Sequence, residues 1–131
     1  MNIDITIIKD IPKDKIDKFT DLVVYGTARA TLDMTAGFFP RRTGDLERGA
    51  VAMGVVGSNK TYGIGSTAKT PRGDYYAKYV WKMKGVNWTN PATLEQWYYT
   101  KFLNKQEQIL NQAITGALRK LWQNKISKIR I

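Results

Sequence analysis

Asp45 and Glu47, two positions apart, and Asp74, which follows a basic loop, are the carboxylates whose placement best suggests chemistry. A metal-dependent nuclease needs two or more carboxylates converging on one cation, usually with a lysine nearby. No Glu-x-Lys signature occurs, and Asp14, Asp17 and Asp21 recur at the spacing of a solvated helix surface. The chain contains no histidine and no cysteine. The commonest general base, the commonest metal ligand, a thiolate nucleophile and a disulfide framework are therefore all excluded. Tyr62-Gly63-Ile64-Gly65-Ser66 superficially matches a phosphate-binding loop, yet it lacks the full spacing and the Gly-Lys-Ser/Thr ending. The expectation is a protein that is not an enzyme and carries neither metal nor cofactor.

Binding chemistry is better represented. Nine of the fifteen aromatic residues fall between Tyr75 and Phe102, with Lys78, Lys82, Lys84 and Lys101 interleaved among them. Aromatics alternating with cations suit single-stranded nucleic acid. A small domain also needs aromatics for its own core, and Tyr and Trp are enriched where proteins meet. Core is the first reading, subunit interface the second and nucleic acid the third. Tyr76, Tyr79, Trp81 and Trp88 are the candidates for an interface. Arg41, Arg42 and Thr43, with Lys69 and Arg72, add polar and cationic groups that could meet phosphate or the acidic rim of a neighbour.

Twenty-one Lys and Arg against eleven Asp and Glu give a formal charge of +10. Such a field attracts nucleic acid, acidic protein surfaces or anionic lipid. The charge is uneven, because no acidic residue follows Glu107, whereas Arg119, Lys120, Lys125, Lys128 and Arg130 do. Those five form a basic C-terminal tail and are the candidates for a DNA-facing surface. No apolar run approaches the roughly 20 residues that span a bilayer, so no membrane partner is expected. The charged residues Lys9 to Lys15 also argue against a secretory signal, which points to synthesis in a cytoplasm.

These groups need a scaffold, and 131 residues favour a single domain over residues 1–131. Ile3, Ile5 and Ile7 alternate with polar residues, which predicts a strand over 3–8. Ile16, Phe19, Leu22, Val23, Gly26 and Ala30 recur at helical steps and predict a helix over 13–37. Gly26, Ala28 and Ala30 are most simply small residues tolerated in that helix, although they would admit a close neighbour. Phe38-Phe39-Pro40 stops the helix, and Thr43-Gly44 supplies a turn. Val51, Met53 and Val55, then Tyr62 and Ile64, predict a β-hairpin over 50–66 that turns at Ser58-Asn59-Lys60. Thr67 to Asp74 reads as an exposed loop and Tyr75 to Gly85 as a short helix or strand. A long helix follows from Thr93, with Thr93 and Gln96 at capping-box spacing. The expected architecture is α+β, a small antiparallel sheet packed with long N-terminal and C-terminal helices.

The order of these pieces resembles that of tailed-phage neck and tail-completion proteins, also labelled head–tail connector or minor capsid proteins. That family opens with a short strand and a long helix, then Pro-x-x-Thr-Gly-x-Leu, strands, Tyr-Ala-x-Tyr and a closing helix. The matching residues are Pro40, Thr43, Gly44 and Leu46, followed by Tyr76-Ala77-Lys78-Tyr79, so the likeness spans nearly the whole chain. It departs after the tyrosines, where Trp81-Lys82-Met83-Lys84-Gly85 stands in place of a Glu-x-Gly-Thr-like stretch, and in its long basic final helix. The resemblance implies a virion protein made in a bacterial cytoplasm, self-assembled into a ring of roughly six- or twelve-fold symmetry. The ring would join portal-side and tail-side proteins and continue the DNA channel, with non-specific contact to packaged DNA. It also implies that the 67–74 loop and both termini meet neighbours and order on assembly. The alternative is a free-standing basic nucleic-acid-binding protein.

Overall fold

The computed structural model describes residues 13–40, 44–86 and 88–129, with side chains as far as residue 121. Helix α1 (Lys13–Thr35) is followed by α2 (Asp45–Met53), the strands β1 (Val56–Ser58) and β2 (Thr61–Gly63), then α3 (Ala77–Lys82), α4 (Trp97–Asn104) and α5 (Gln106–Ile129). The fold is α+β, a two-stranded antiparallel sheet packed against long α1, with α1 packed in turn along long α5. The strand expected over 3–8 lies outside the described residues.

Helix α1 forms over nearly the expected span. Thr27, Thr31 and Thr35 stand one turn apart, and each hydroxyl donates to the carbonyl four residues earlier, at 2.8, 2.7 and 2.5 Å. These local bonds let Thr31 and Thr35 be buried without an unsatisfied hydroxyl. On α5, Ile109, Ala113 and Ala117 form a buried stripe at four-residue steps. A Cβ added at Gly26 would lie 3.1 Å from the Ala113 Cα. Gly26 is therefore a point of close helix–helix approach, contrary to the expectation that it is simply tolerated.

The run 45–53 is helical, not the first strand of a hairpin. Its alternation covers only Val51, Met53 and Val55, and Val51 is 66% exposed. The residues that matter are Leu46 and Ala50, one turn apart and both buried. The hairpin is confined to 56–63, with Val56 opposite Gly63 and Ser58 opposite Thr61. Asn59 and Lys60 take φ of 51° and 67° at its turn, the mirror-image geometry that matches strand twist.

The final helical region is also shorter at its start than expected. Gln96 has φ of 48° and precedes α4 without a side-chain cap. Thr93 instead donates to the Phe39 carbonyl at 3.2 Å, so the capping box does not form. Lys105 leaves helical geometry at φ −124° and separates α4 from α5. The core joins Leu32, Phe39, Leu46, Ala50, Ala68, Trp97 and Tyr98.

Candidate interaction surface

The segment before the Pro-x-x-Thr-Gly-x-Leu motif is clamped from two sides. Asn90 donates from Nδ2 to the carbonyls of Gly37 at 3.0 Å and Phe39 at 3.1 Å. The Leu94 N–H donates to the Phe38 carbonyl at 3.0 Å. Glu47 accepts the Gly37 N–H at 2.5 Å. Pro40, Gly44 and Leu46 are buried, which anchors both ends of the motif. Arg41, Arg42 and Thr43 lie outside the described residues.

The aromatic run divides into an inner and an outer set. Trp81 packs edge-on against Trp97 with ring centroids 4.8 Å apart, and Phe39 meets Tyr98 in the same way at 5.5 Å. Tyr98 donates its hydroxyl to the Gly65 carbonyl at 2.8 Å, and burial pushes its phenol well above the ordinary tyrosine range. Tyr76, Trp81 and Trp88 are half-buried, and the first two pack against the core. Burial also raises the Tyr76 phenol, with the Asp45 carboxylate adding to the effect.

The outer set is Tyr75, 55% exposed, and Tyr79, 58% exposed. Lys69 places its ammonium 4.8 Å from the Tyr75 ring centre, and Lys78 does so 5.1 Å from that of Tyr79. Each is a cation–π pair at the surface. Met83 and Val86, just past the end of α3, are exposed as well. Of the two tyrosine candidates, only Tyr79 faces solvent; sequence alone did not select its partner in exposure, Tyr75.

The 67–74 segment is anchored within the chain at both ends. The Thr67 N–H donates to the Gly49 carbonyl at 3.5 Å, and Ala68 is buried. Lys69 pairs with Tyr75 in an isolated antiparallel bridge, and the Thr70 N–H reaches the Asp74 carbonyl at 2.8 Å. Residues 71–75, including Arg72, form an exposed tip.

Most carboxylates are engaged inside the chain. Asp17 pairs with Lys60 at 3.1 Å and Asp33 with Arg29 at 3.2 Å, while Asp45 meets Arg48. Asp21 accepts from the Tyr62 hydroxyl at 2.6 Å and from the Lys60 N–H at 2.7 Å. Glu95 accepts the Gly85 N–H at 2.7 Å. Asp14 and Glu107 sit in the first turns of α1 and α5, where the helix field favours negative charge. Lys69, Arg72, Lys78, Lys82 and Lys84 meanwhile face solvent.

Of the candidates for a DNA-facing surface, Arg119 and Lys120 are exposed on α5. Lys120 leans over the Tyr25 ring of α1 at 5.6 Å, whereas Arg119 borders a shallow groove of about 690 Å³ with Lys105, Gln108 and Gln112. Lys125 and Lys128 fall within α5, and Arg130 lies outside the described residues.

Sequence reading named Lys101 only as an interleaved cation. In the fold it is 7% exposed, with its ammonium 3.4 Å from the centre of the Phe38 ring. Desolvation, with Lys105 adding repulsion, lowers its affinity for a proton. Among the described residues no group of three His, Cys, Asp or Glu converges to hold a metal, and no helix is long and apolar enough to cross a membrane. No family model matches the chain, and neither the curated proteins nor the solved structures include a significant match.

Proposed function

We propose that this chain is a structural subunit of a tailed-phage neck, assembling into a ring that joins head to tail and continues the DNA channel. One observation carries most of the reading beyond the ordered motifs: most described carboxylates are paired or hydrogen-bonded within the chain, while exposed tyrosines and cations gather around the 69–86 segment. Tyr and Met with a cationic rim suit a protein interface, and charge complementarity would set its register. A clamped hinge and an anchored, protruding loop provide stiff contact elements for such a ring.

Class averages of the purified protein by negative-stain electron microscopy test this reading. Closed rings with a central channel are the expected result. A monomer at all concentrations would count against it.

The second reading, a free-standing nucleic-acid-binding protein, draws on the Lys69–Tyr75 and Lys78–Tyr79 pairs, which combine a stacking face with a cation. It predicts tight binding of the monomer to an oligo(dT) strand, weakening steeply as salt rises.

A further inference from the structure

Helix α5 buries small apolar residues and exposes large ones. The close approach at Gly26 leaves room only for small side chains at that crossing, and Ala113 and Ala117 are buried beside Ile109. The larger residues lie on another side of the helix. Ile114 is 39% exposed and Leu118 40%, and Leu110 and Leu121 are half-buried at the adjoining turns. A helix with all its packing neighbours in place shows the reverse, large apolar side chains inward and polar ones outward. Among the described residues, no other helix exposes two branched aliphatic side chains one turn apart.

At 3.6 residues per turn, Leu110, Ile114, Leu118 and Leu121 fall within a stripe about 80° wide. Their spacing of four, four and three residues is that of a seam that receives a second helix. A helix lying in a lipid surface presents a broader apolar face. The same register runs back to Glu107, which is exposed, and onward along α5 to the positions of Lys125 and Lys128. The stripe is thus acidic at its start, apolar in the middle and basic at its end.

That order selects the occupant. A partner helix must offer apolar residues opposite Ile114 to Leu121, a carboxylate opposite the basic end and a cation opposite Glu107. A second α5 laid antiparallel supplies all three: Ile114 stands opposite Leu121, Leu110 opposite Lys125 and Glu107 opposite Lys128. Laid parallel, it would set Glu107 beside Glu107 and each lysine beside its own copy, which like-charge repulsion disfavours. A lysine at a seam position fixes register at some cost in stability.

We propose that two copies of this chain pair along α5, antiparallel, about a two-fold axis beside Leu118. The contact is isologous and closes on a pair, unlike the head-to-tail contact that a ring requires. It uses a different element from the 69–86 surface and does not depend on the ring reading.

Single cysteines test the pairing and its direction, because the chain has none of its own. Under mild oxidation Leu118→Cys should form a disulfide-linked dimer, since that position meets its own copy. Leu110→Cys alone should not, whereas Leu110→Cys mixed with Lys125→Cys should give the mixed dimer. Sedimentation velocity then compares the wild type with Leu118→Glu, an exposed change whose fold is checked by circular dichroism. Two facing carboxylates in the seam should weaken pairing about tenfold or more. Glu107→Lys and Lys128→Glu should each weaken it, and the two together in one chain should restore it.

Disulfide dimers of Leu110→Cys alone, or pairing of Leu118→Glu with wild-type affinity, would overturn the antiparallel seam. So would a wild type that stays monomeric while Leu118 governs its binding to anionic vesicles or to an acidic helical peptide. Each of those results leaves the ring reading, which uses other surfaces, standing on its own test.

Discussion

The Tyr62 hydroxyl donates a 2.6 Å hydrogen bond to the Asp21 carboxylate, tying the hairpin to α1 across 41 positions of sequence. The same carboxylate accepts the Lys60 N–H, and Asp17, one turn earlier on α1, pairs with the Lys60 ammonium. A two-stranded hairpin alone is marginal in water. The two aspartates hold this one against the long helix, so the turn at Asn59-Lys60 is fixed by tertiary contacts as well as by its own geometry.

Acid titration should expose this link. The Tyr62 hydroxyl, then the Lys60 N–H, hold the Asp21 carboxyl below its ordinary value of 3.8. The folded chain therefore binds fewer protons there than the unfolded chain. The associated stability is present above that ordinary value and is lost as pH falls through the lower folded value. Urea unfolding followed from about pH 5 to about pH 2 should show a shallower acid loss in Asp21→Asn than in wild type.

At the alkaline end the sign reverses for Tyr98. Its phenol is raised by burial, so the unfolded chain loses that proton first and stability falls as pH rises above the ordinary tyrosine value of 10.0. Tyr98→Phe removes the hydrogen bond to Gly65 and should cost about 1 kcal/mol near neutral pH. Above about pH 10 the variant should lose less further stability than wild type, a difference measurable by denaturant melts across the alkaline range.

The crossing of α1 and α5 depends on the missing side chain at Gly26. A Cβ there meets the Ala113 Cα at 3.1 Å and the Ala113 Cβ at 3.2 Å. Gly26→Leu should force the helices apart and lower stability by about 1–3 kcal/mol. Thermal unfolding checks this, and an unchanged midpoint would show that the helices do not meet at this point.

The clamp ahead of the motif offers a further check. Asn90→Ala leaves the Gly37 and Phe39 carbonyls without their side-chain donor and should cost about 1–3 kcal/mol. Hydrogen exchange in the same variant should rise at the Leu94 amide, which donates to the Phe38 carbonyl between the two clamped positions.

Sequence pattern revealed the parts of this fold that are long or locally specified. Helix α1 was legible because its apolar residues repeat over several turns, and the hairpin turn because Ser-Asn-Lys carries its own conformational preference. The helix at 45–53 was obscured because three alternating residues outweighed Leu46 and Ala50, the pair that the core buries. Nothing local marks the break at Lys105. Among candidate site residues, Tyr79, Lys69 and Arg72 were found at the surface, while Trp81 was taken into packing with Trp97. Lys101 could not be singled out because its burial arises from Phe38, sixty-three positions away in the chain.

The proposed neck role is tested most directly by placing an early stop codon in the gene for this chain in a phage that carries it and imaging the lysate. Filled or leaking heads beside detached tails are the expected outcome, and expression of the intact protein in the host should restore joined particles. Normal, infectious virions from the stop-codon phage would contradict the account.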